Sequence, residues 1–361
     1  MRLLIMIRSS HPSVSGADHM AMMTARQLSV CAEIQVTLAL SSSMYPQFHA
    51  CTEHGVEHLF IPTDVRQAKL IIESRDFDAM HLFDFVDANY LWLANDWLNS
   101  GKPLYVTPAS DMRLWENDEL GLNLCRNAQM VFAWTEHERR SLLETSGIPP
   151  EKVTVLKYAV TQEEQSAVDF RQAFSIPQSA KLVLFLGRKL TFKGYELILE
   201  SMSAIWSEFP HAWFVFIGPR TETSVQAFSS YGHNERMLEM DMVDEQIKRA
   251  ALQACDLLCL PSKVDVFPIV FLEAWSFAKP VVTSRFPGSN EAVRHGIDGL
   301  VTDPDAPSVT EAIRSLLSDS AYAVRLGANG LERVQREHTW DAMIATLLDV
   351  YSKHRDEVKL R

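Results

Sequence analysis

Short apolar runs rich in β-branched and aromatic residues recur along the chain, separated by segments in which apolar residues return at helical spacing. In the first half these runs predict strands at 2–7, 34–40, 58–61, 78–83, 103–107, 130–134 and 153–156. In the second half they predict strands at 181–186, 213–218, 257–261, 280–284 and 299–302. Between the two sets, residues 159–180 are polar, contain Pro177 and carry no strand-like run, so the domain junction is placed there. The expected organisation is a Rossmann-like domain at 1–160, a second at 161–340 and a closing helix at 341–361. That helix puts Met343, Ile344, Leu347, Leu348 and Tyr351 on one face, which must pack on something, and the N-terminal domain is the expected support. Alternating strands and helices imply an α/β fold with two doubly wound sheets, which bind ligands outside the carboxyl ends of their strands. A cleft between the domains is the expected site.

Composition removes several classes. The chain has 361 residues, 47% hydrophobic and 22% charged, which is long enough for about two domains and too apolar for a disordered chain. A formal net charge of −12 disfavours nucleic acid as a partner, so any anionic ligand must be met by local cations. The apolar runs fall far short of the ~20 residues of a membrane span. The run at 3–7 meets Arg8 at once and reads as a first buried strand rather than a signal core, so a cytoplasmic protein is expected. The five cysteines show no recurrent CxxC spacing, and neither a disulfide framework nor a zinc site is suggested.

Three stretches could carry chemistry. In 181–202 a buried-type strand ends at Gly187, a basic loop follows with Arg188, Lys189 and Lys193, and a helix begins, which is an anion-binding arrangement. A solvated basic loop is the plainer reading. In 261–284 an apolar run contains Asp265 and Glu273, and a carboxylate in such a setting must be paired or hydrogen-bonded, to ligand hydroxyls or to a partner within the protein. In 106–115 a strand runs out into Asp111, followed by Arg113 and Trp115; a carboxylate there is a candidate site residue or a helix N-cap. Gly16 permits close approach of a ligand or only supplies a turn.

Taken in order, these motifs resemble the retaining glycosyltransferases of family 4, with the GT-B fold of two Rossmann-like domains facing across a cleft. The strand ending at Gly187-Arg188, then Lys193-Gly194 opening a helix, is similar to the family's diphosphate-binding segment. DVFPIVFLEAWSFAKPVV, from Asp265, resembles the E-x7-E signature, and PGSNEAVRHGIDGLVTDP, from Pro287, resembles the pattern downstream of it. The resemblance implies that Arg188 and Lys193 hold the diphosphate, that Glu273 binds ribose hydroxyls, and that Asp265 contacts the sugar. It further implies that backbone groups of Phe267, Pro268, Ile269 and Val270 line the sugar and phosphates, with Gly16 and Gly187 also on the donor side, that Met242 lies near the base, and that Asp111 lies near the acceptor. The sequence departs from the family pattern at Asp265, shorter than the usual Glu, at Pro268, which lacks an N–H, and at Trp275 and Phe277, where smaller residues are usual.

The implied activity is transfer of a sugar from a nucleotide diphosphate sugar to an acceptor hydroxyl, with no cofactor beyond that donor and no metal ion. The acceptor is a carbohydrate, a lipid-linked glycan or a small molecule, and peripheral contact with the inner face of a membrane is compatible with it. Two other readings share the fold: a nucleotide-sugar epimerase, which needs no acceptor, and a noncatalytic partner subunit of a transferase.

Overall fold

The computed structural model describes residues 1–8, 16–41, 47–161, 165–232 and 234–359. They fold as two compact units, Met1–Tyr158 with Trp340–Arg361, and Ala159–Thr339.

The first unit is built on a sheet of β1 (Arg2–Arg8), β2 (Gln35–Ser41), β3 (His49–Glu53), β4 (Val56–Ile61), β5 (Ala79–Phe83), β6 (Leu104–Thr107), β7 (Met130–Ala133) and β8 (Val153–Val155). Their spatial order is β3-β4-β2-β1-β5-β6-β7-β8, and every pairing is parallel except β3 with β4. The central strand β1 reads LLIMI because it is covered on both faces; Leu3 to Ile7 are all inaccessible. The last helix, Trp340–Lys359, belongs to this unit, with Met343, Leu347 and Tyr351 buried. A polar contact inside the core anchors it. His81 on β5 bonds the Tyr351 hydroxyl through Nδ1 at 2.6 Å and Thr107 Oγ1 through Nε2 at 2.8 Å. Burial pushes the His81 imidazole down to about 3, so it sits neutral between the two hydroxyls.

The second unit contains β9 (Lys181–Leu186), β10 (Ala212–Ile217), β11 (Met237–Met240), β12 (Leu257–Leu260), β13 (Val281–Ser284) and β14 (Gly299–Thr302), ordered β11-β10-β9-β12-β13-β14 and parallel throughout. The chain winds outward from β9 through β10 and β11, then returns to the other side of β9 for β12. The order therefore reverses between β9 and β12, and an open parallel sheet receives its ligand at that point.

Trp275 fits because of a glycine elsewhere. Its side chain is fully buried in the helix Ile269–Ser276, with Nε1 donating to the Asp298 carbonyl at 2.8 Å. The ring lies against Gly330 of the helix Ser320–Glu337, where a Cβ would stand 2.0 Å from Trp275 Cδ1. The volume added at 275 is thus removed at 330.

Candidate active site at the switch point

The loops after β9 and β12 meet at this reversal. Gly194 closes the first loop with φ of 77°, and a Cβ there would stand 2.1 Å from the Pro261 carbonyl oxygen, so only glycine lets the two loops touch. Lys263 N–H donates to the Phe192 carbonyl at 2.7 Å, and Lys193 Nζ meets Asp265 Oδ2 at 2.6 Å. Both ends of that ion pair are mostly buried. Asp265 Oδ1 accepts the Val266 N–H at 3.1 Å.

The helix Ile269–Ser276 starts beside this pair. Pro268 stands at its N-cap with φ of −65° and makes no side-chain cap, so the missing N–H costs the helix nothing and the first-turn N–H groups of Ile269 and Val270 have no capping side chain. Phe267 and Pro268 are buried, while Ile269 and Val270 are part-exposed. One turn along, Glu273 is buried, and its Oε1 accepts from Lys248 Nζ at 2.8 Å. Among the described residues its Oε2 accepts no hydrogen bond. Burial alone would lower the Lys248 ammonium; the carboxylates of Glu273 and Glu245 outweigh it and hold Lys248 above the usual lysine range.

Two residues of the basic loop have opposite environments. Arg188 is exposed, and its guanidinium takes part in no hydrogen bond or ion pair among the described residues. Lys189, read from sequence as part of a basic loop, is wholly inaccessible. Its ammonium donates to the carbonyls of Gly218 and Met240, the latter at 2.6 Å, and meets Glu239 Oε1 at 2.6 Å. Burial lowers its pKa, but three oxygens converging on one nitrogen are satisfied only by the ammonium form. Glu239 is itself raised by burial and then drawn below the usual range by Arg220 and Lys189. This node ties the ends of β9, β10 and β11 together and fixes the start of the loop that presents Met242, whose side chain is half exposed. Lys189 was visible in the sequence as a cation and Lys248 was not singled out; the burial of neither was legible, because it depends on strand order.

In the first unit the carboxyl ends of β1, β5, β6 and β7 carry several acids. Asp111 caps a short turn of helix and forms a bidentate pair with Arg113, Nε to Oδ1 at 2.8 Å and Nη2 to Oδ2 at 2.7 Å. That is the N-cap arrangement, with both carboxylate oxygens engaged by Arg113. Gly16 opens the helix Gly16–Ser29, and the rest of the loop before it lies outside the described residues. Burial pushes Asp84 up to about 6, and Asp18 nearby adds to the rise. Arg8 faces Asp87 at 3.6 Å. Deeper, Glu138 Oε2 accepts the Trp134 N–H at 2.6 Å, Oε1 has no hydrogen-bond partner among the described residues, and burial pushes the carboxyl up to about 8.

Glu138 makes a pH prediction. Its carboxyl titrates near 4.5 when the chain is unfolded and near 8 when folded, so between those values the folded state holds a proton that the unfolded state has released. Stability therefore falls as pH climbs through that window. Glu138→Gln, which cannot ionise, is expected to raise the melting temperature relative to the native chain near pH 8 and to change it little near pH 5. Melting curves of both proteins at the two pH values check this.

Residues 168–333 match the model of the family Glycosyl transferases group 1. The second unit carries a glycosyltransferase group 1 domain. The chain is also similar to the D-inositol 3-phosphate glycosyltransferase of Corynebacterium glutamicum (strain R), 25% identical over 244 residues that cover 63% of this chain and 58% of that protein. The fold of the whole chain is the GT-B fold. Sucrose-phosphate synthase from Thermosynechococcus elongatus superimposes with a TM-score of 0.83 at 18% identity over 99% of both chains. HepE from Anabaena, solved in complex with UDP-glucose, does so with 0.80 at 16% identity over 98% of this chain and 100% of that one. Among the described residues no helix is long and apolar enough to cross a membrane.

Proposed function

We propose that the chain moves a sugar from a nucleoside diphosphate sugar to an acceptor hydroxyl with retention at the anomeric carbon. The observation that carries this reading is the meeting of Lys193 with Asp265 at the switch point, beside a helix N-terminus without a capping side chain and a second paired carboxylate, Glu273. In this reading Arg188 and Lys193 face the diphosphate, and the N–H groups at Ile269 and Val270 add the helix dipole. The anomeric C–O bond to phosphate breaks while the acceptor oxygen bonds to the same face, and the acceptor proton passes to the departing phosphate. Negative charge grows on that phosphate, so fixed cations lower the barrier without a protein nucleophile and without a metal ion. Glu273 takes the ribose through its open oxygen, Asp265 the sugar, Gly187 and Phe267 to Val270 the donor backbone contacts, and Met242 the base.

The acceptor binds at the strand ends of the first unit in this proposal. There Arg8 and Arg113 already face Asp87 and Asp111, and Asp84 adds acid. Such a rim favours a hydroxyl-rich acceptor over a phosphorylated one of the kind named for the Corynebacterium relative.

A thermal-shift panel of UDP, GDP, ADP and their sugars, followed by NMR of the product anomer, tests the reading. UDP-glucose, bound by HepE, is the first donor to try. No shift with any nucleotide sugar would overturn it. The two carboxylates are expected to fail differently. Glu273→Gln should weaken the bare nucleoside diphosphate as well as the sugar donor, whereas Asp265→Asn should lower turnover and leave the bare nucleotide nearly as tight, because its lost bonds are made to the sugar. Calorimetry with both ligands separates the cases.

A further inference from the structure

The hairpin of β3 and β4, at the far edge of the first sheet, brings together three side chains that lie apart from the proposed transfer chemistry. His54 and Gly55, with φ of 49° and 79°, make the tight turn that sets its register. In that register Cys51 stands directly opposite His58, and Glu53, two residues on from Cys51, shares its face of β3. The thiol sulfur lies 3.8 Å from Glu53 Oε1, and His58 Nδ1 lies 3.6 Å from Glu53 Oε2. One ligand atom from each of the three lies within 4.8 Å of the other two.

We propose that Cys51, Glu53 and His58 form a zinc site that clamps the edge hairpin. Around a tetrahedral zinc, with bonds of about 2.3 Å to sulfur and about 2.1 Å to nitrogen or oxygen, neighbouring ligand atoms stand about 3.4–3.6 Å apart. The two contacts of Glu53 use different carboxylate oxygens, and the three ligand atoms, already within 4.8 Å of one another, reach that spacing through a rotation of exposed Glu53 that brings one oxygen to both partners and a rotation of half-buried Cys51 toward His58. Thiolate with imidazole selects zinc or cobalt and rejects magnesium and calcium, which take oxygen ligands. Three protein ligands leave a fourth position for water. The site serves structure: β3 is an edge strand joined to the sheet through β4, and a metal bridging Cys51 on β3 to His58 on β4 reinforces that one junction.

The test uses the full-length, metal-stripped protein. Cobalt is expected to bind at one equivalent, with a sulfur-to-cobalt charge-transfer band and the visible bands of a tetrahedral ion, and zinc is expected to displace it and raise the melting temperature. Cys51→Ser should abolish the charge-transfer band, while Cys31→Ser, which alters the other part-exposed thiol, should keep it. Glu53→Gln, an exposed change that leaves the hairpin register intact, should weaken cobalt by about tenfold or more. Absence of the band in the native protein, its survival in Cys51→Ser, or cobalt affinity unchanged in Glu53→Gln would each overturn the site. Because the readouts are spectral and thermal, they stand or fall independently of glycosyl transfer.

Discussion

Lys193→Ala is expected to lower turnover with a nucleotide sugar by about two to three orders of magnitude, the scale for one preorganised donor facing charge that develops in the transition state. The same substitution strands Asp265, its partner at 2.6 Å, so stability and chemistry must be told apart. The double variant Lys193→Ala with Asp265→Asn does so. If Lys193 served only to neutralise Asp265, the double variant would turn over as fast as Asp265→Asn alone; in the proposed role it is slower than that single variant. Arg188→Ala is the cleaner companion, because that exposed guanidinium has no partner to strand among the described residues. It should lose turnover with an unchanged melting temperature. Native turnover in both single variants, measured at saturating donor, would sink the assignment of the diphosphate.

The largest effect on stability is expected at Gly330. An alanine there would put its Cβ 2.0 Å from Cδ1 and 2.5 Å from Nε1 of a fully buried indole whose Nε1 is fixed by a hydrogen bond to the Asp298 carbonyl. Neither ring nor helix can yield cheaply, and overpacking of this severity costs about 3 kcal/mol. Urea unfolding of Gly330→Ala measures it. Combining it with Trp275→Leu should recover part of the loss, since the smaller side chain vacates the contested space. Equal midpoints for Gly330→Ala and the native chain would mean that the ring has room to move.

These two positions also mark what the sequence could tell. The run 181–186 and the strand 299–302 were legible to the residue because both are apolar on both faces, and the α/β alternation follows from such runs. Two strands left no such trace. HACTE, which is β3, is almost entirely exposed, and MLEM, which is β11, is only part-buried; both lie at sheet edges, where the pattern that reveals a strand is absent. The site was legible as an order of motifs around Arg188, Lys193, Asp265 and Glu273. It was not legible as pairs, because Lys193 and Asp265 stand 72 positions apart and meet only where the strand order reverses. Cys51 and His58 likewise become neighbours through strand register, which CxxC spacing does not report.

The helix Trp340–Lys359 has a consequence for how the chain is made. The first unit needs Tyr351 to complete the bonds of His81, 270 positions earlier, yet all of Ala159–Thr339 is synthesised in between. On the ribosome the first unit therefore waits with an unclosed core while the second, contiguous in sequence, finishes. Until that helix emerges His81 Nδ1 has no Tyr351 hydroxyl to bond, and the docking of Tyr351 ends that wait.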